Sequence, residues 1–155
     1  MSNDIFDIIV RAQADYARCI DDDQLENWPD FFDDPCIYKI TTAANYRDGL
    51  QAAIVFANSR GMLVDRVSSL REANIYERHT YRHILGAPSL EETVEGVRSQ
   101  TPFLVVRIMR DGETQIFATG RYLDLYRIHN REAKLAERIV VCDSSRIDTL
   151  LALPL

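Results

Sequence analysis

The chain has little of what most catalytic and nucleic-acid motifs require. Its three cysteines, Cys19, Cys36 and Cys142, are scattered, with no CxxC and no Cys-x-His pair. That spacing argues against a structural zinc site and against a Rieske cluster, and leaves buried free thiols as the expectation. No GxSxG, GxGxxG or GxxxxGK[ST] occurs, so nucleophile-elbow, dinucleotide and P-loop readings fall away. No window approaches the ~18 consecutive apolar residues of a membrane span. The first residues, MSNDIFDIIV, carry acids and lack the basic start of a signal peptide. A soluble cytoplasmic protein is therefore expected. The formal charge is −6, with no run of lysines or arginines long enough to follow a phosphate backbone, which argues against nucleic acid as a partner. The acids at Asp21–Asp23 and Asp33–Asp34 lack EF-hand spacing and read as turns and helix caps.

What is present is a chain of 155 residues, 46% hydrophobic, enough for one compact domain over 1–155 with its own core. Ile5, Ile8, Ile9, Ala12, Tyr16, Cys19 and Ile20 recur at helical spacing and predict a helix over 3–20. A short second helix is expected to start at Asp21–Asp23 and stop near Trp28, because Pro29 follows. CIYKIT (36–41) reads as a strand, and residues 48–58 and 62–70 read as helices parted by Gly61. NIYERHTYRHIL (74–85) is strand-like in composition. Residues 86–100 read as an exposed loop or a short extra turn of structure, 101–110 as a strand, and Asp111-Gly112 as a hairpin turn. Its partner strand, 113–128, is expected to bend or bulge at Gly120. A turn at His129–Glu132 leads to a last strand, 135–142. The tail IDTLLALPL is apolar enough to dock. Helices first and a curved antiparallel sheet later make an α+β pattern.

The most informative stretch is RVSSLREANIYERHTYRHILG, residues 66–86. It sets His79 and His83 four residues apart. On a helix the two imidazoles could grip one metal ion; on a strand they lie on the order of 13 Å apart at ~3.3 Å per residue. Thr80 stands where HExxH would need Glu, and a third ligand could come only from His129 or a distant carboxylate. The β-rich composition favours the strand. Neither strand face is then purely apolar, with His79, Tyr81 and His83 on one side and Arg78 and Arg82 on the other. Such a strand lines a pocket or meets another protein, and Arg and Tyr are the types enriched at interface hot spots. An acid–base pocket built from Tyr16, Asp65 and His79 is a weaker reading.

DRVSSLREANIYERHTYRHILG, preceded by DDDQLENWPDFF and closed by ERIVVCDSSRIDTLLALPL, resembles the small (β) subunits of aromatic-ring-hydroxylating oxygenases. The likeness is greatest to the branch acting on aromatic acids, such as the small subunits of terephthalate dioxygenase and salicylate 5-hydroxylase. The resemblance implies an NTF2-like (cystatin-like) cone, a curved antiparallel sheet around N-terminal helices. It also implies a large (α) subunit as partner, in an α3β3 hexamer with a β trimer. That subunit would carry the Rieske [2Fe–2S] cluster and the mononuclear Fe(II), with electrons arriving through a reductase or ferredoxin. No cofactor, metal or catalytic residue is expected in this chain. Arg71, Asn74, Tyr76, Arg78, His79, Tyr81, Arg82 and His83 are the expected subunit interface or its internal support. Two other readings stand beside this one: a free-standing NTF2-like isomerase or dehydratase with an acid–base pocket in the cone, and an unrelated NTF2-like scaffold module.

Overall fold

The computed structural model describes residues 3–49, 51–73, 77–147 and 153–155. The first helix, α1 (Asn3–Asp21), buries Ile9, Gln13, Tyr16, Ala17 and Ile20, one stripe at helical spacing. It ends because Asp23 turns left-handed, at φ 59°. The acids at 21–23 therefore close this helix rather than open the next. The following 3-10 helix (Leu25–Phe31) also departs from expectation by running through Pro29. Its bonds span three residues rather than four, and the Pro29 carbonyl accepts from the Phe32 N–H.

The remaining elements are β1 (Phe32–Thr42), α2 (Ala43–Arg47), β2 (Val55–Ala57), α3 (Arg60–Ala73), β3 (His79–Leu85), β4 (Ser89–Thr93), β5 (Gly96–Met109), β6 (Thr114–His129) and β7 (Glu132–Cys142). The strands form one sheet in the order β2-β1-β7-β6-β5-β3, and β4 continues the edge beside β5. All pairings are antiparallel except β1 with β7, which run parallel and bring an early strand against the last one. The helices pack on the sheet's inner face, where Trp28, Phe32 and Tyr38 meet edge to face at 5.1–5.8 Å.

Two expected elements are corrected. Residues 48–58 do not form a helix: Gly49 takes a positive φ, and Val55–Ala57 pairs with β1 as β2. Val55 and Ala57 are buried while Phe56 is exposed, a period of two that a short apolar run conceals. Residues 86–100 are not a loop either. They hold β4, a tight turn and the first part of β5, where the inward residues after Val97 are Ser99 and Thr101. Small polar side chains on an inner face gave that strand no apolar signal. The expected bend at Gly120 is also misplaced. Phe117 is the extra residue, since Val105 pairs with Ala118 and Val106 with Ile116. Gly120 instead allows close approach, because a Cβ there would run into the Val141 carbonyl oxygen.

The long hairpin turns at Asn130 and Arg131, both with positive φ, as the favoured two-residue turns require. Of the apolar tail, residues 153–155 are described and buried; 148–152 lie outside the described residues. The Leu155 main-chain oxygen accepts from the hydroxyls of Tyr16 at 2.8 Å and Tyr38 at 2.9 Å, and its N–H donates back to Tyr38 at 3.1 Å. No described helix is long and apolar enough to cross a membrane.

Candidate subunit interface and the cone interior

β3 is a strand, so His79, Tyr81 and His83 alternate onto the inner face and Arg82 onto the outer one. The two histidines do not converge. His83 is fully buried at its side chain, and its Nδ1 donates to Asp21 Oδ1 at 2.6 Å. The His83 main-chain N–H donates to the other carboxylate oxygen at 2.8 Å. Asp21, the last residue of α1, thus latches that helix to the middle of β3. His79 turns its Nδ1 to the Glu77 carbonyl at 2.8 Å. Tyr81 stacks on the bulge residue Phe117, with ring centres 5.3 Å apart.

Arg71 stands near the end of α3 and reaches back to the turn after α1. Its guanidinium donates to Glu26 at 2.8 and 3.2 Å and to the Asp23 carboxylate and carbonyl at 2.8 and 2.9 Å. The hydrogen bond from Arg71 holds the Glu26 carboxyl below its ordinary range. Arg82 is exposed and lies 3.9 Å from Asp21. Asn74 and Tyr76 lie outside the described residues. Arg71, Arg78 and His79 come together at a cleft of about 450 Å³ between the ends of α1 and α3 and the start of β3. The proposed trio of Tyr16, Asp65 and His79 does not assemble. Tyr16 is in the core and hydrogen-bonded to Leu155, whereas Asp65 is exposed on α3.

The polar centre of the molecule was not singled out by its sequence. Arg138 on β7 and Asp124 on β6 are paired in register and completely buried. Arg138 donates from Nε and Nη2 to the two Asp124 oxygens, each at 2.8 Å, and from Nη2 to the Tyr126 hydroxyl at 3.1 Å. Its Cζ lies 4.2 Å from the Tyr16 ring centre and 4.0 Å from that of Tyr122, a guanidinium between two aromatic faces. Burial disfavours the Arg138 charge, but the Asp124 carboxylate holds its pKa well above the ordinary value. Nearby, Gln13 of α1 donates to Thr101 at 2.8 Å and Ser99 at 3.3 Å. This interior is polar and tightly filled, but its hydrogen bonds are incomplete: Arg138 Nη1 and the Tyr122 hydroxyl are buried with no hydrogen-bond partner among the described residues.

The three cysteines sit on α1, β1 and β7, all buried and free. Burial pushes the Cys19 and Cys36 thiols up to about 11 and Cys142 to about 12, which makes them poor nucleophiles and poor metal ligands at neutral pH.

Comparison with known proteins agrees with this geometry. The chain is 51% identical over 148 residues to the terephthalate 1,2-dioxygenase terminal oxygenase component subunit beta 1 of Comamonas sp, covering 95% of this chain and 96% of that one. It is 36% identical to the anthranilate 1,2-dioxygenase small subunit of Burkholderia cepacia, covering 95% and 92%. Among solved structures, a beta subunit assigned to an aromatic-ring-hydroxylating dioxygenase of Novosphingobium aromaticivorans superposes with a TM-score of 0.88. The two are 38% identical, with 97% of each chain covered. The fold is thus the NTF2-like α+β cone that the resemblance implied. Residues 15–149 match the family described as ring hydroxylating beta subunit, and the chain belongs to that family.

Proposed function

We propose that this chain is the non-catalytic small subunit of a terminal oxygenase that hydroxylates an aromatic acid. In that role it arranges large subunits in the cytoplasm as an α3β3 hexamer resting on a β trimer. The observation that carries the reading is the division of labour in the cone. The interior is filled by Arg138, Asp124 and their tyrosines, with Leu155 bonded to Tyr16 and Tyr38, which leaves little room for a substrate among the described residues.

The outer sheet face, by contrast, carries apolar side chains in the open: Ile84 is 54% exposed, Phe56 51% and Ile116 70%. Exposed apolar surface of that kind suits contact with other subunits. Of the expected interface set, Arg78 and Arg82 are exposed and are the proposed contact residues. Arg71, His79, Tyr81 and His83 support them from behind through α3, α1 and the Phe117 bulge. Asn74 and Tyr76, outside the described residues, are proposed as members of the same set.

The residues present do not fit either iron. A Rieske cluster takes two Cys and two His, and a facial-triad iron takes two His and a carboxylate. Here the thiols are buried on three different elements, and His83 is committed to Asp21. The [2Fe–2S] cluster, the mononuclear Fe(II) and the contact with a reductase or ferredoxin are therefore assigned to the large subunit. This chain influences substrate choice only by holding the large subunits in place.

Co-expression with a large subunit encoded beside this gene, and purification through a tag on this chain, tests the reading. A coloured, iron-containing assembly with equal numbers of the two chains supports it. A colourless product that retains no large subunit overturns it.

A further inference from the structure

The register of β3 against β5 places two arginines in an unfavourable position. His79 pairs with Met109 as the last rung; Arg78 precedes it on one side and Arg110 opens the turn after β5 on the other, so the two flank the end of the ladder. Like charges near one another at a ladder's end are mutually unfavourable. Both arginines are exposed, and among the described residues neither has an ion-pair or hydrogen-bond partner. In the rest of the molecule arginines are repeatedly paired: Arg18 with Asp15, Arg71 with Asp23 and Glu26, Arg98 with Glu95, Arg131 with Asp4, Arg138 with Asp124. Arg11, Arg66, Arg127 and Arg146 also lack an ion pair among the described residues; what distinguishes Arg78 and Arg110 is that the two border the same cleft.

They line the cleft of about 450 Å³ described above, whose apolar side is formed by Ile20, Leu70, Ile108 and Leu153. Asp21 and Asp23 also border it, but their carboxylates are taken by His83 and Arg71. The combination suits an occupant with a carboxylate next to an apolar stem. Two guanidiniums can hold a carboxylate through paired N–H bonds, relieving the repulsion between them.

We infer that this cleft is where the large subunit docks an acidic side chain, held between Arg78 and Arg110, with its neighbouring apolar side chain against Ile20, Leu70 and Ile108. The inference rests on the partner named under the proposed function. A side chain presented by another protein suits the site better than a free small acid does. The guanidiniums stand on the exposed rim, where a protein surface can reach both, and complementary charge there steers the partner and fixes its register.

The test compares capture of the large subunit by wild type, R78E/R110E, the milder R78Q/R110Q, and R98E as a surface control outside the cleft. Folding of each is verified by circular dichroism and the urea midpoint. The double reversal is expected to weaken capture at least tenfold, the neutral pair severalfold, and R98E not at all. Capture by wild type should also fall as salt rises, with a shallower slope for R78Q/R110Q. If wild type captures the large subunit and R78E/R110E does so equally well, the docking inference is overturned while the function stands. If wild type captures none, the functional reading itself fails and this inference with it. Should benzoate bind the isolated wild-type chain but not R78Q/R110Q, with capture unaffected, the cleft is a small-acid site and docking is overturned.

Discussion

The interior of the cone and the rim where β3 begins both look polar in sequence, yet they use polarity in opposite ways. Inside, Arg138 is fully buried, paired with Asp124 and sandwiched by Tyr16 and Tyr122. At the rim, Arg78 and Arg110 are exposed and unpaired among the described residues, while Arg71 holds two acids in partial exposure. A buried charge held by its ion-pair partner serves the fold; unpaired charges on a rim are available to a partner. Polar residue type alone therefore says little about function, and the state of each group's partners says much more.

The largest effect is expected inside. Arg138→Ala leaves the Asp124 carboxylate buried without its partner and should cost about 3–5 kcal/mol in urea unfolding. Replacing both, as Arg138→Met with Asp124→Leu, should recover most of that loss, because an apolar pair of similar volume fills the site without an orphan charge. A single-variant cost below about 1 kcal/mol would erase the contrast between the two regions. Next comes the latch between them. Asp21→Asn weakens the bonds to His83 Nδ1 and main-chain N–H, and should cost about 1–3 kcal/mol. Amide exchange should rise first in β3.

The rim itself should matter least to stability. Arg71→Ala is expected to cost at most about 1 kcal/mol, since Asp23 and Glu26 remain in water. The pH dependence sharpens this point. Arg71 lowers the Glu26 pKa from its ordinary 4.5, so the contribution is present above that value and is lost as pH falls through the lowered one. Acidification should therefore loosen the turn at 23–26 in wild type but make no added difference in Arg71→Ala, as read by amide exchange.

The sequence made α1, the central strands and the strand nature of 79–85 legible, because their periodicities are clean. It also exposed the resemblance on which the family reading rests. The buried Arg138–Asp124 pair was not legible. Counting back from the Asn130–Arg131 turn sets Asp124 opposite Glu137; only the one-residue shift between Leu125 and Tyr126 brings Arg138 into place. A bulge leaves no mark in hydrophobic pattern, and it decides which charges meet. The strand β2 was hidden for a different reason. Three residues, Val55–Ala57, are too short to show a period, and the apolar run around them fits a helix equally well. For the proposed interface residues, the sequence did not show which are exposed and which are buried. Burial by α1 and α3 decides which members face outward, and that depends on tertiary packing.

The most direct test of the contrast is amide hydrogen exchange on this chain, alone and bound to its large subunit. The account predicts new protection at residues 78–80 and 108–110, on the rim. Exchange around Ser99, Thr101, Asp124 and Arg138, already buried, should stay unchanged. Protection confined to the interior strands, with the rim exchanging as freely as before, would contradict it.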